Sequence, residues 1–137
     1  MRARVGRFLL VAMLAGGFVT TLAWADARTD RLVQLLQNSG NYRVRVQSAQ
    51  SLGRIRDPQT VAPLVRSLRD RHPAVRAAAA LALGRIGSPR AIEPLRALKR
   101  DGRQPNEVKT QAHQAIVQIR RMSSMETSSS SSSGPSS

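Results

Sequence analysis

Cysteine is absent from the 137-residue chain, which excludes disulfides, thiolate metal sites, a cysteine nucleophile and a Cys-anchored lipoprotein. Aromatic residues make up only 3%, so a core has to be assembled from Leu, Ile, Val and Ala. That supply suits thin helical layers with close backbones better than a large globular interior. Acidic residues are scarce too: 8 against 22 basic residues, 20 of them Arg, for a formal net charge of +14. Such a surplus attracts nucleic acid, anionic lipid or acidic polymer. The Arg residues are spread along the chain and not run together, so a merely solvated basic surface accounts for the charge equally well. Histidine occurs twice, at His72 beside Pro73 and at His113. With no third ligand close by, two imidazoles and scattered carboxylates do not define a metal site. There is no G-x-S-x-G, no paired carboxylate and no glycine-rich phosphate loop. The chain is expected not to be an enzyme, and no cofactor, metal or small-molecule substrate is indicated.

The N-terminus has the layout of an export signal. Arg2, Arg4 and Arg7 form a positive region, Phe8–Leu22 is uncharged and largely apolar, and Ala23-Trp24-Ala25 places small residues where signal cleavage requires them. A membrane anchor through residues 8–24 is the alternative. The stretch falls short of the ~20 apolar residues a span needs, and Gly16 and Gly17 interrupt it. The expectation is a cleaved signal peptide over 1–25 and a periplasmic or secreted mature chain. Removing three Arg leaves a mature charge of 14 − 3 = +11, since all eight acids lie beyond Ala25.

What the mature chain does contain is one segment written twice, 31 residues apart. Val44–Asp70 and Val75–Asp101 share 12 of 27 positions: the Val-Arg pair, an Ala, Leu-Gly-Arg-Ile, a Pro, Pro-Leu and a closing Arg-Asp. That is a structural repeat. Val44, Ser48, Leu52 and Ile55 fall on one face of a helix over 42–56. Small residues flank this stripe, and Gly53, recurring as Gly84, reads as a site where two backbones approach. Asp57-Pro58 and Ser88-Pro89 read as N-cap followed by Pro at the first helical position, opening second helices over 58–70 and 89–101. Pro63 and Pro94 lie five residues further in and lack the N–H for an i→i−4 bond. Each second helix should therefore bend there or begin with a separate short turn. Val61, Leu64, Val65 and Leu68 form the buried stripe of one, and Ile92, Leu95 and Leu98 that of the other. Gly87 suits a left-handed C-cap.

Half-copies flank the two repeats. Residues 29–38, with Leu32, Val33, Leu35 and Leu36 on one side, resemble a second helix without its first. Val108, Ala112, Ala115, Ile116 and Ile119 over 106–121 repeat the first-helix pattern without a second, and there Val117 replaces the Gly. Residues 123–137 hold ten Ser and are expected to be a disordered tail.

The Val-Arg…Ala…Leu-Gly-Arg-Ile…Pro…Pro-Leu…Asp pattern over about 30–121 resembles the HEAT repeat, in the short bacterial form called HEAT-like or phycobilisome-lyase-type. The resemblance implies an all-α chain: a short right-handed α-solenoid of antiparallel helix pairs, about five helices, occupying 26–122. It also implies an acid shortly before each Val-Arg pair, hence a ladder of Asp70 with Arg76 and of Asp101 with Lys109, and no acid for Arg45. The second helices of such solenoids usually line the concave side. Arg66, Arg69, Arg90 and Arg100, extended by Arg31, then form a basic strip there, and these five are the candidate partner-binding residues. Arg reads carboxylate and phosphate well because its fork is planar and bidentate. Two functions follow: an exported, non-catalytic protein-interaction module or scaffold whose partner offers an acidic or extended segment, and a surface for a polyanion such as anionic lipid, acidic polysaccharide or nucleic acid. Self-association through the exposed ends is a further expectation.

Overall fold

The computed structural model describes residues 26–130. The expected signal segment, 1–25, and the end of the Ser-rich tail, 131–137, lie outside the described residues. The chain divides into two compact units, Met1–Arg31 and Leu32–Ser137. Of the first, residues 26–31 are described; they are helical and largely exposed.

Among the described residues there is no strand, and six α-helices are present where about five were expected. Helix α1 covers 26–38. It is followed by α2 (Tyr42–Ile55), α3 (Val61–Ser67), α4 (Pro73–Ile86), α5 (Ile92–Arg100) and α6 (Asn106–Ser130). Half a repeat, two whole repeats and half a repeat make six helices. The first helices stack, α2 on α4 and α4 on α6, while α3 packs on α4 and α5 on α6. The second unit is thus a short α-solenoid.

The caps follow from the sequence. Asp57 Oδ1 accepts from the Gln59 N–H at 2.9 Å, and Gly87 closes α4 at φ 79 with its N–H on the Leu83 carbonyl. Ser88 stands at the equivalent N-cap but makes no side-chain capping bond. Arg56, the counterpart of Gly87, also adopts the left-handed conformation, at φ 58, which only the 31-residue alignment could have suggested. Of the two outcomes expected at the prolines, the separate turn occurs: 3₁₀ turns at Pro58–Thr60 and Pro89–Ala91 precede α3 and α5. Pro63 and Pro94 then fall in the first turns of these helices, where an N–H has no partner within the helix.

Leu36, Leu52, Leu64, Leu83, Leu95, Val108 and Ile119 are fully buried. Two residues placed in the buried stripes are instead exposed, Leu35 at 38% and Ile55 at 43%; Ile55 is the last residue of α2, at the helix end. Helix α4 is covered on both sides by α2 and α6, and its Ala77–Ala80 run and Ala82 are buried accordingly. The Ser-rich segment departs from expectation over 123–130, where α6 continues. Its hydroxyls bond back to carbonyls of their own helix, Ser123 to Ile119 at 3.0 Å and Ser124 to Arg121 at 2.9 Å, and Met122 lies against Gly87.

The stacking of first helices depends on two glycines. A Cβ on Gly53 would stand 2.7 Å from the Ala82 Cα and 2.9 Å from its Cβ; on Gly84 it would stand 2.9 Å and 3.0 Å from the same atoms of Ala115. Val117, which takes the glycine position in α6, is 42% exposed and meets no further first helix among the described residues. Alanine at a mid-helix glycine gains about 1 kcal/mol of helix propensity. Here it must displace backbone, and overpacking costs about 1–3 kcal/mol. Because backbone stands in the way, the cost falls toward the upper end of that range and the net loss is about 1–2 kcal/mol. Gly53→Ala is therefore expected to lower the thermal midpoint by roughly 5–10 °C in a circular dichroism melt. Gly40→Ala, with nothing within 4 Å of the added Cβ, should leave it nearly unchanged.

Candidate functional site

Each of the two whole repeats places an arginine in the first turn of its first helix, Arg45 and Arg76, and an aspartate after its second helix, Asp70 and Asp101. In the first repeat these meet. Arg45 is 4% exposed, and its guanidinium uses every edge. Nε donates to Asp70 Oδ2 at 2.8 Å and Nη2 to Asp70 Oδ1 at 2.9 Å. Nη1 donates to the Ser39 and Gly40 carbonyls at 2.8 and 3.3 Å. One side chain thereby joins the turn after α1, the body of α2 and the loop that follows α3. Asp70 Oδ1 also accepts the His72 N–H at 2.8 Å. Burial pushes the Asp70 carboxyl up, but the hydrogen bonds from Arg45 and His72 and the charges of Arg45 and Arg71 outweigh it and hold the group below the usual aspartate range. The hydrogen bond to Asp70 in turn raises Arg45.

The expected ladder is corrected by this geometry. Asp70 pairs with Arg45, the arginine for which no acid was expected, and not with Arg76. The pairing that the resemblance implied is not made: six residues beyond Asp70, Arg76 reaches the Asp70 backbone carbonyl, at 2.7 Å, and the Arg71 carbonyl, at 3.2 Å. Lys109 likewise donates to the Gly102 carbonyl, at 3.4 Å, and not to Asp101. Asp101 is turned to its own loop, accepting from the Arg103 N–H at 3.0 Å and from Gln104 Nε2 at 2.7 Å. The Gln104 and Arg103 bonds hold its carboxyl below the usual range. The ion pairs among the described residues are Arg45–Asp70 and Glu93–Arg96.

Two cavities open between successive second helices. One, about 330 Å³, is lined by Leu36, Gln37, Arg66 and Arg69, among others. The other, about 420 Å³, lies between α3 and α5, and Arg69, Asp70, Arg76, Asp101 and Gln104 are its polar lining beside Val65 and Leu98. Of the candidate strip, Arg66 and Arg69 are thus brought to one groove, with Arg69 shared by both cavities. Arg90, on a 3₁₀ turn, and Arg100, in the last turn of α5, are exposed but line neither cavity. Arg31 is exposed and belongs to the first unit. Sequence reasoning named Arg76 only as a ladder partner of Asp70, not as a groove residue, and missed Gln104. The signal for Arg76 was present in its equivalence to Arg45 at the 31-residue offset.

The histidines take structural positions. His72 caps α4, its Nδ1 accepting the Ala74 N–H at 3.2 Å, and its ring stacks on Tyr42 with centroids 3.7 Å apart. His113 is exposed and lies 3.1 Å from Lys99 Nζ. Among the described residues no three His, Asp or Glu side chains gather as a metal site would require, and no helix is long and apolar enough to cross a membrane.

Comparison with known proteins agrees with the repeat. The family model described as HEAT repeats matches residues 29–117. No curated protein sequence matches the chain. Among solved structures, human deoxyhypusine hydroxylase in complex with glycerol superposes with a TM-score of 0.64 at 23% identity, covering 80% of this chain. At that identity the likeness is one of fold, and the chain matches 35% of the enzyme's length.

The closed Arg45–Asp70 clasp sets an acid limb. Because the folded Asp70 carboxyl lies below its ordinary value of about 3.9, its stabilisation is complete above that pH and is lost as the pH falls through the lower folded value. Asp70→Asn leaves a buried guanidinium without its counter-charge and is expected to cost about 3–5 kcal/mol at neutral pH. It should also flatten the stability curve below about pH 4, read by denaturant melts across pH. Asp101→Asn should shift stability far less.

Proposed function

The chain belongs to the HEAT-repeat family, and from that premise we propose that it is an exported, non-catalytic interaction module that docks an acidic, extended polypeptide segment along its second-helix face. HEAT repeats are protein-interaction scaffolds, and stacked helix pairs present a continuous groove with little change of the backbone between repeats. The observation that carries the reading is the exposed Arg66 and Arg69 beside two adjoining cavities, with Arg69 lining both. An extended segment running across α1, α3 and α5 would meet these guanidinia in succession, with Val65 and Leu98 beneath it. Arg90 and Arg100 would then act at the rim, where they guide approach more than they hold the complex. Export is supported by the arrangement of residues 1–25, and the non-catalytic reading by a sequence without cysteine, a G-x-S-x-G motif, paired carboxylates or a phosphate loop.

The competing polyanion reading draws on the net charge of +14. The two readings differ in salt dependence: charge neutralisation on a polyanion weakens steeply as salt rises, whereas a packed protein interface does not. The mature chain from Asp26, immobilised and exposed to an envelope extract, is expected to retain a discrete protein through a high-salt wash. The paired change Arg66→Glu, Arg69→Glu should abolish that retention, while Arg54→Glu, on the exposed side of α2, should not. Release of all bound material at moderate salt, with lipid or polysaccharide in the eluate, would contradict the docking reading in favour of a polyanion. Recovery of the natural product with Met1 intact would contradict signal cleavage.

A further inference from the structure

The two repeats carry the same clasp in two states. Arg45 and Arg76 are equivalent at the 31-residue offset, and so are their carbonyl acceptors: Ser39 and Gly40 for the first, Asp70 and Arg71 for the second. The backbone half of the clasp is therefore made twice. The carboxylate half is made once. On Arg45 the parallel Nε and Nη2 donors hold Asp70. On Arg76 the equivalent edge has no acceptor, because Asp101 is bound to Gln104 and to the Arg103 N–H. Arg76 Nε is buried and unpartnered, and so is Gln104 Oε1. Both residues line the 420 Å³ cavity between α3 and α5.

We propose that this cavity is a carboxylate-binding site in which an aspartate or glutamate side chain of an extended acidic peptide docks bidentately on the Nε/Nη2 edge of Arg76. It would take the place Asp70 takes on Arg45. The inference rests on the docking reading above and assigns its anchoring contact. A buried donor without an acceptor is costly, and a planar guanidinium already oriented by two carbonyls loses little freedom when a carboxylate arrives. The charge around the cavity favours the same ligand. Asp70 is matched by Arg45, which leaves Arg69 and Arg76 against Asp101 alone. Gln104, tied to Asp101 by one hydrogen bond, is the side chain that must swing aside to admit the ligand.

The test uses the full mature chain and fluorescein-labelled hexaglutamate, followed by fluorescence anisotropy near physiological salt. Arg76→Lys keeps the charge and can still reach the carbonyls, but it lacks the fork. Binding should weaken about tenfold or more, while Arg120→Gln, on the exposed side of α6, should change it by less than about twofold. Thermal melts confirm that each variant is folded; should Arg76→Lys unfold, Gln104→Ala serves in its place and is expected to tighten binding by uncovering the arginine. Inorganic phosphate should compete less well than glutarate. Equal weakening by Arg76→Lys and Arg120→Gln, or no effect of Arg76→Lys, would overturn the site, as would phosphate competing as well as glutarate. If Arg66→Glu with Arg69→Glu still abolished binding in those cases, the broader docking reading would survive. A wild-type chain that does not bind hexaglutamate at all contradicts both.

Discussion

The backbones of the first helices touch. At Gly53 and Gly84 there is no room for a single carbon between α2 and Ala82 of α4, or between α4 and Ala115 of α6. A chain with 3% aromatics cannot fill wide interhelical spaces, so its layers are thin, and apolar area is gained by bringing backbones together. Everything else is placed by that spacing. Helix α4 is enclosed on two sides and is therefore almost wholly small and apolar. The second helices are carried outward on the first ones, and the spaces between them remain open as cavities on one face.

Close layers also create a polar problem at the helix ends. The carbonyls that follow α1 and α3 are drawn toward the next first helix, Ser39 and Asp70 in partly buried positions, and backbone groups left unpaired away from water are costly. The repeat answers with an arginine from the next helix. Arg45 and Arg76 each satisfy two of these carbonyls with Nη1. The remaining edge of the guanidinium is what differs between copies, closed by Asp70 in the first and open in the second. A stabilising device and a recognition device thus share one residue position, and the loop after α5 decides between them. It sets Asp101 further from the start of the next first helix, with residues 102–105 between them where only 71 and 72 follow Asp70, and its Gln104 occupies the aspartate that would otherwise complete the clasp.

Much of the architecture could be read from the sequence because it is written there twice. The Gly53–Gly84 recurrence gave the close approach, and Pro63 and Pro94 gave the interrupted second helices. What was not legible depended on distances across helices. Arg45 and Asp70 are 25 residues apart, and no local pattern reveals that α2 and the end of α3 bring them together. The resemblance implied Arg76 as the partner of the Asp70 carboxylate, whereas Arg76 reaches Asp70 only at its backbone carbonyl. The helix over 123–130 was missed because a Ser-rich composition speaks for disorder, whereas hydroxyls that bond their own helix carbonyls keep these residues compatible with a helical backbone. Of the basic strip, Arg66 and Arg69 could be placed by helical period alone. Arg90 lies on the 3₁₀ turn itself, and Arg100, the counterpart of Arg69 at the 31-residue offset, has no further second helix after α5 among the described residues to close a cavity over it.

The most direct test of the account is whether one repeat position is closed at Arg45 and open at Arg76 in the free protein. Side-chain NMR of the guanidinium Nε–H groups reports this. The Arg45 signal is expected to move on Asp70→Asn, and the Arg76 signal to be unaffected by Asp101→Asn. An Arg76 signal that shifts with Asp101→Asn as Arg45 does with Asp70→Asn would show that both clasps are closed, and the carboxylate site would be filled by the protein itself.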